Sequence, residues 1–272
     1  MYEPTPEIVK KAFDELFAKF TQEEQSGFRQ RFLVHDYETF PNKVLLVTLD
    51  LATGQHWVVW GTEQIRAYLR QVFVHNESTV LIGYNNKKFD NRITDAILDG
   101  ADEAEVKRVS DQLIENSYIR PSWRSGEYGR RPTWVGRTFD VGFDIGQKKI
   151  GPEGREEKIP EVSLKLWERL NGIKVCRCSI PFDKPLIRAR DIAEVERYCL
   201  YDVCATAMLV LSKEAWNPCL NARRVLVDDY GDRGVDWEMT KPRITTIVLN
   251  ADEHNYEVPD DWEDEKFKLP SN

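Results

Sequence analysis

Two acidic residues, two positions apart, carry the first chemistry that the sequence suggests. Asp36 and Glu38 follow the apolar run 32–34, and residues two apart on an extended strand point to the same side. Two carboxylates held together at the end of a buried strand repel each other, so the arrangement is costly unless a cation lies between them. For an isolated pair, the alternative is an ordinary Asp and an ordinary Glu that are both exposed to solvent. A metal site is therefore predicted only if further acidic residues join the pair.

Two later segments supply such residues. Asp90 follows a polar stretch, 85–89, that crosses from the end of an apolar run into a helical pattern, the place where open mixed sheets keep their sites. Tyr198 and Asp202 lie four residues apart in a long helical pattern and so share one face. Taken singly, Asp90 could satisfy free N–H groups at a helix start and Asp202 could be a surface charge. Taken jointly with Asp36 and Glu38, they predict one acidic pocket.

The elements that must position these residues are predicted to form a mixed sheet with helices. The first three strand patterns form an antiparallel meander, and the fourth is a continuous apolar run, which is typical of a strand covered on both faces. The predicted strands are 32–40, 44–51, 57–60 and 79–84. The predicted helices are 5–20 with Thr5 as cap, 63–72 with Thr62 as cap, 89–98, 104–114, 162–170 and 191–214. This order of elements predicts an α/β fold.

Composition excludes several classes of protein. The 272 residues, 41% of them hydrophobic, are enough for one large core. Because no apolar run approaches about 20 residues and no secretory pattern opens the chain, a soluble intracellular protein with no membrane partner is predicted. Five cysteines without a C-x-x-C pair indicate reduced thiols rather than a zinc knuckle. The net charge of -8 argues against a protein that coats DNA, but not against an enzyme with a local basic groove.

A basic and aromatic segment, 118–137, stands apart from the rest of the chain. It holds five arginines against one glutamate, interleaved with tyrosines and tryptophans. Guanidinium groups can bind phosphates while aromatic rings stack on bases, so the segment fits an edge that binds a single strand. A solvated hairpin whose aromatic rings pack on the core fits equally well.

The three acidic motifs together resemble those of a known enzyme family. D-x-E, N-x-x-F-D or N-x-x-x-F-D, and Y-x-x-x-D in this order resemble the DEDD exonucleases of the Tyr subclass, which include the proofreading domains of DNA polymerases. The resemblance covers roughly residues 30–215. Finer matches are similar to the phage-type polymerase branch. These are the D-x-E-T of 36–39, the S-L-K of 163–165 and the D-V-x-x-T of 202–206.

The resemblance implies a fold and a domain division. The expected fold is a ribonuclease H-like mixed five-stranded sheet with helices on both faces. The exonuclease domain is expected at 31–216, after an amphipathic helical extension at 1–30 and before a C-terminal extension with an acidic tail at 217–272.

The resemblance also implies a mechanism that uses two divalent ions, Mg²⁺ or Mn²⁺. Asp36 would bridge the ions, Glu38 and Asp202 would complete the site that binds the attacking water, and Asp90 would hold the second ion partly through water. Tyr198 would orient the water, since a phenol with a pKa near 10 is a poor base at neutral pH.

Substrate contacts follow from the same resemblance. One group of residues would hold the 3′-terminal nucleotides, with an aromatic ring stacking, and a second group would line the path of the strand. The first group is Thr39, Asn86 and Phe89, and the second is Ser163 and Leu164. Asn85 competes with Asn86 because both spacings occur in the family.

The expected function is a metal-dependent 3′–5′ exonuclease that acts on single-stranded DNA ends in proofreading and releases nucleoside 5′-monophosphates. A DNA polymerase or another replication protein is a candidate partner, and the cytoplasm, of the host if the protein is viral, is the expected location. Two alternatives stay open: an RNA exonuclease like ribonuclease D, and a catalytically silent module that binds DNA or docks on a polymerase. None of the four histidines lies near Asp202, which excludes the His subclass. The chain is too short to hold a polymerase as well, so it is expected to be an excised portion of a longer polymerase, a separate subunit, or a stand-alone enzyme that acts beside one.

Overall fold

A five-stranded mixed sheet lies at the centre of the protein. The computed structural model describes residues 1–22, 25, 30–76, 78–86, 89–115, 137–141, 164–165, 168, 171–181 and 186–211, and the backbone of 147–150, 156–158 and 247–249. The strands of the central sheet are β1 (Arg31–Phe40), β2 (Lys43–Asp50), β3 (His56–Trp60), β4 (Thr79–Gly83) and β5 (Thr138–Asp140). Their order is β3-β2-β1-β4-β5. The predicted antiparallel meander of β1, β2 and β3 is confirmed, while β1, β4 and β5 run parallel.

Helices cover both faces of this sheet, as the sequence predicts. They are α1 (Pro6–Phe17), α2 (Thr62–Leu69), α3 (Asp90–Leu98), α4 (Glu103–Glu115) and α5 (Ala189–Leu211). One apolar cluster joins α1 and α5 to one face, and a second joins α2, α3 and α4 to the other. In the part of the chain that the structure describes, no helix is both long and apolar enough to cross a membrane.

A separate three-stranded sheet lies outside the predicted elements. It consists of β6 (Gln147–Ile150), β7 (Glu156–Lys158) and β8 (Ile247–Leu249), in the order β7-β6-β8. Lys148 pairs with Lys158 on one side and with Val248 on the other. The strands are three or four residues long, which is too short for hydrophobic periodicity to predict.

The central strand β1 is buried on both faces, and its alternation decides where the acidic residues point. Phe32, Val34 and Phe40 belong to the cluster that contains α5, whereas Tyr37 belongs to the cluster with α3 and α4. Since side chains alternate along a strand, Asp36 and Glu38 share the face that α5 covers. Strand β4 is buried at every position, as its continuous apolar run predicts.

The predicted first helix is confirmed, with its cap. The Thr5 side chain accepts a hydrogen bond from the backbone N–H of Ile8 at 3.4 Å, and Pro6 occupies the first turn. The helix ends at Phe17, three residues earlier than predicted. Val9 and Phe13 are buried in the cluster that α1 shares with α5, so the apolar stripe of α1 packs on the sheet domain.

The predicted cap of α2 is wrong. Gly61 occupies the cap position and Thr62 is the first helical residue. The backbone N–H of Thr62 donates to Oε1 of Glu103 at 3.1 Å, so a side chain 41 residues away satisfies the helix start. A local sequence pattern cannot reveal a partner that distant. The helix also ends at Leu69 and continues as a π-helical turn, Arg70–Val74.

Candidate metal centre

Three potential metal ligands meet between strand β1 and helix α5. Ligand atoms of Asp36, Glu38 and Cys199 all lie within 4.8 Å of one another, so this group could hold a metal ion. Asp36 is partly buried, whereas Glu38 and Cys199 are buried. The Cys199 thiol donates to Oδ2 of Asp36 at 3.6 Å. Among the described residues, no hydrogen-bond donor reaches the Glu38 carboxylate, although the residue is only 7% exposed.

The other two predicted ligands act on this group through their charges. Asp90 is the first residue of α3 and Asp202 lies on α5, and both are buried. Burial and the charge of Asp202 raise the pKa of Asp36 to about 7. Burial, together with the charges of Asp36, Asp202 and Asp90, raises the pKa of Glu38 well above its ordinary range. The four predicted carboxylates therefore form one electrostatic unit, with Asp36 and Glu38 at its compact centre.

Mutual repulsion among the carboxylates extends to Asp90. Burial, the charge of Asp36 and the charge of Asp140 raise the pKa of Asp90 well above its ordinary range. Buried like charges disfavour ionisation unless a cation neutralises them. The centre is therefore suited to cation binding, because a cation would recover the free energy that the carboxylates lose by repelling one another.

A lysine supplies one positive charge to this unit. Nζ of Lys165 contacts Oδ1 of Asp202, lies 3.2 Å from Oε1 of Glu168 and sits 4.8 Å from the centroid of the Tyr198 ring. Its charge lowers the pKa of Asp36, opposing the effect of burial. The ammonium group thus partly neutralises the acidic pocket from the side of Asp202.

Glu168 is a buried carboxylate that sequence reasoning missed as a site residue. It is fully buried, burial raises its pKa to about 7, and its Oε2 atom has no hydrogen-bond partner among the described residues. Lys165 falls within the S-L-K match, but the motif predicts no role for it in the site. The signal that could have found the pair is its spacing, because residues three apart in the predicted helix 162–170 are neighbours on one face.

Tyr198 is placed to act through its hydroxyl. It is partly exposed one helical turn before Asp202, and the two side chains are hydrogen-bonded. Burial, followed by the charges of Asp202, Glu38 and Asp36, raises the pKa of the phenol above its ordinary value. The hydroxyl therefore keeps its proton at neutral pH and serves as a hydrogen-bond donor.

Asp140 is another acidic residue that sequence reasoning missed. It ends strand β5, is fully buried, and accepts a hydrogen bond from the backbone N–H of Asn85 at 2.9 Å. Its charge raises the pKa of Asp90. A three-residue strand carries too little periodicity to be recognised, so no element was predicted to deliver this carboxylate to the pocket.

The predicted substrate contact Thr39 faces away from the acidic pocket. Its hydroxyl donates to Oγ of Ser110 on α4 at 2.8 Å, on the face of the sheet opposite α5. The alternation of β1 causes this, because Thr39 has the parity of Tyr37 and not that of Asp36 and Glu38. Its role in holding the substrate stays a prediction.

The two candidate asparagines lie in the turn between β4 and α3 but differ in burial. Asn86 is fully buried, and its Nδ2 donates to Oγ1 of Thr138 at 3.0 Å and to the carbonyl of Phe139 at 3.3 Å. Asn85 is partly buried and adopts a positive φ of 57°. The preference for Asn86 as the substrate contact stays a prediction. Because Asn86 is buried, Asn85 is the one of the two that a ligand can reach more easily.

The remaining predicted contacts are described in part. Phe89 is partly buried and packs against the cluster of α3 and α4. Leu164 is partly buried against the cluster of α5. Ser163 lies outside the described residues, as does the acidic tail.

Most of the basic and aromatic segment lies outside the described residues, which resume at Arg137. Its guanidinium group donates to the carbonyl oxygens of Phe73 and Asn76 at 2.9 and 3.0 Å, and it stacks 3.9 Å from the centroid of the Phe73 ring. This arginine therefore ties β5 to the turn before β4. The four described cysteines are free thiols, in agreement with the prediction of reduced cysteines.

Comparison with known proteins gives no match. No protein-family model, no curated protein and no solved structure is similar to the chain at a significant level. The resemblance to the exonucleases therefore stays a prediction that depends on the motifs.

Proposed function

We propose that the chain is a metal-dependent 3′–5′ exonuclease of the ribonuclease H-like type that shortens single-stranded DNA and releases nucleoside 5′-monophosphates. One observation carries the proposal. Four buried or partly buried carboxylates from β1, α3 and α5, which the exonuclease motifs single out, act on one another electrostatically. A cation would stabilise such a cluster of carboxylates. Many enzymes that cleave phosphodiesters use a pair of divalent ions bound to carboxylates.

The residues of the pocket fit hard divalent ions. Asp36 and Glu38 offer carboxylate oxygens within 4.8 Å of each other, and in the described structure no donor competes for Glu38. Carboxylate oxygen is the preferred ligand of Mg²⁺ and Mn²⁺. Asp36, Glu38 and Asp202 would hold one ion, and Asp36 and Asp90 the other. When bound, the ions would stabilise negative charge on the attacking and leaving oxygens of the phosphodiester.

The side chains of the chain itself would supply positioning. The Tyr198 hydroxyl keeps its proton, so it donates a hydrogen bond and orients a water molecule instead of deprotonating it. Lys165 contacts Asp202 and lies beside the Tyr198 ring, which places a positive charge within the pocket. This charge would favour the approach of an anionic phosphate to the pocket. The 3′ polarity, the preference for DNA and the polymerase partner rest on the resemblance alone.

Shortening of a labelled oligonucleotide tests the proposal. A single-stranded DNA with a label at its 5′ end should yield a descending ladder in the presence of Mg²⁺, because nucleotides leave from the other end. Asp202→Asn should lower the rate at least about a hundredfold, since it removes a charge worth several kcal/mol of transition-state stabilisation.

A matched variant on the same helix separates chemistry from folding. Glu196→Gln removes a carboxylate six residues before Asp202, and its amide oxygen can still accept the hydrogen bond that Trp60 now donates at 2.7 Å. This variant should keep the wild-type rate. An intact DNA after long incubation with the wild-type chain would refute the exonuclease and favour the silent module, and faster loss of an RNA of the same sequence would favour the RNA exonuclease.

A further inference from the structure

A thiol lies at the centre of the acidic pocket, and the proposed function gives it no role. Sγ of Cys199 is buried, 3.6 Å from both the backbone oxygen and Oδ2 of Asp36. It belongs with Asp36 and Glu38 to the group whose ligand atoms lie within 4.8 Å of one another. Hard ions such as Mg²⁺ gain little from sulfur, whereas thiolate is a preferred ligand of Zn²⁺ and other soft ions.

The separations match those of a tetrahedral zinc site. Zinc lies about 2.3 Å from thiolate sulfur and about 2.1 Å from carboxylate oxygen, so the tetrahedral angle sets sulfur and oxygen about 3.6 Å apart. The observed distance from Sγ of Cys199 to Oδ2 of Asp36 is 3.6 Å. No large movement of α5 against β1 is needed to form such a site.

Glu38 gives an independent indication that a ligand belongs here. The residue is buried, with only 7% of its surface exposed, and its carboxylate belongs to the same group. Among the described residues, no donor satisfies its carboxylate. A buried carboxylate without a partner is costly, and a metal ion bound beside the thiol would supply the missing interaction.

We propose that Asp36, Glu38 and Cys199 form a zinc site that overlaps the Mg²⁺ or Mn²⁺ site of the proposed exonuclease, on which this inference rests. On binding, the sulfur–zinc bond forms while the thiol proton passes to solvent. Asp36 and Glu38 cannot serve both kinds of ion at once. Zinc therefore inhibits the magnesium-dependent reaction, and Cys199 sets how strongly it does so.

Cobalt reports on this site without any assay of activity. Co²⁺ takes the place of zinc and, when bound to a thiolate, gives a sulfur-to-cobalt charge-transfer band in the near ultraviolet. Titration of the full wild-type chain with Co²⁺ under reducing conditions should produce this band. Zn²⁺ added afterwards should abolish it by displacing the cobalt.

Two cysteines of the same helix provide the variant and its control. Cys199→Ser and Cys199→Ala should lose the band and bind zinc at least about tenfold more weakly. Cys204→Ser should keep both properties, because Cys204 is buried five residues further along α5 with Glu7, and not these carboxylates, as its charged neighbour.

The outcomes separate this site from the proposed function. A wild-type chain that degrades DNA with Mg²⁺ but shows no cobalt band overturns the zinc site and leaves the exonuclease standing. A band that persists in Cys199→Ser also overturns the zinc site. A band that depends on Cys199 in a chain without nuclease activity supports the zinc site and overturns the exonuclease.

Discussion

The charge of Asp36 interacts with those of the other three predicted carboxylates, Glu38, Asp90 and Asp202. Strand alternation and spacing were enough to predict that Asp36 and Glu38 share a face, because a period of two is fixed by backbone geometry. The same motifs pointed to Asp90, Tyr198 and Asp202, whose charges and hydrogen bonds the structure places around that pair.

The acidic and basic side chains that complete the pocket were not predictable in the same way. Asp140 lies on a strand of three residues, and Lys165 and Glu168 are helical residues far along the chain from Asp36 and Asp90. Their roles come from tertiary contacts, such as that between Lys165 and Asp202 across 37 residues. No local pattern encodes a contact of that kind.

The raised pKa of Asp36 predicts how stability depends on pH in the metal-free protein. Its pKa is about 7 when folded, against about 3.9 when unfolded. Between these values the folded state keeps a proton that the unfolded state has released, so stability falls as pH rises from about 4 to about 7. Thermal unfolding in a metal chelator should show a Tm several degrees lower at pH 8 than at pH 5.

Variants with a neutral amide test which carboxylate causes this dependence of stability on pH. Asp36→Asn should make the fall in stability with pH shallower, because the amide has no proton to lose, whereas Glu196→Gln should leave it unchanged. Glu168, whose pKa is also about 7, contributes to the slope in the same direction. An equal slope in wild type and Asp36→Asn would show that Asp36 ionises normally.

Lys165 is expected to compete with metal ions for Asp202. Lys165→Met keeps the length of the side chain but removes the ammonium group that contacts Asp202 and Glu168. The metal-free protein should lose about 3 kcal/mol of unfolding free energy, because two buried carboxylates lose their cation. Calorimetry should in turn show tighter binding of Mn²⁺, since no cation has to be displaced. Weaker Mn²⁺ binding in this variant would contradict the competition.

At the scale of elements, the turn that leads from β4 into α3 must be tight. A Cβ on Gly83 would lie 2.7 Å from Cβ of Asn86, a separation that real atoms do not adopt. We expect Gly83→Ala to lower the free energy of unfolding by about 1–3 kcal/mol, through overpacking against the buried Asn86. Chemical denaturation measures the loss.

A second glycine variant provides a comparison in which the added Cβ meets no neighbouring atom. Gly100 has a φ of +107°, but a Cβ there would meet no atom within 4 Å. Gly100→Ala therefore reports backbone strain alone, whereas no positive φ contributes at Gly83. If Gly83→Ala kept the wild-type stability of the protein, the close approach of Gly83 to Asn86 would be ruled out.

Most helices and strands of the central sheet were predictable to within a few residues, because each combines apolar periodicity with a turn or cap signal. Helix α1 shows this, since Thr5 and Pro6 mark its start. The start of α2 was missed because Glu103, on another helix, satisfies it. The second sheet was missed because its strands are short and β8 lies about 90 residues beyond β7.

At the scale of the whole molecule, the pocket should link folding to metal binding. An ion that binds the folded state alone stabilises it by about 2.7 kcal/mol at a hundred times its Kd. Mn²⁺ should therefore raise the Tm of the wild-type chain, and the rise should be larger at pH 8 than at pH 5 because protons compete for Asp36. Calorimetric scans with and without Mn²⁺ measure this, and an unchanged Tm would contradict metal binding to the folded chain.

Apolar contacts join the N-terminal helix to the central sheet. Helix α1, predicted as part of an extension, contributes Val9 and Phe13 to the same cluster as α5. Asp36 and Glu38 lie on the face of the sheet that α5 covers, and the charge of Asp202 on α5 acts on Glu38. The fold thus holds like charges close together, an arrangement that a bound cation would stabilise.

Counting the manganese ions that the folded chain binds tests this account most directly. Electron paramagnetic resonance of free Mn²⁺ during a titration gives the number of ions bound. We predict two ions for the wild-type chain, none held tightly in Asp36→Asn, and two again in Glu196→Gln. A wild-type chain that leaves all added Mn²⁺ free in solution at neutral pH would contradict the account.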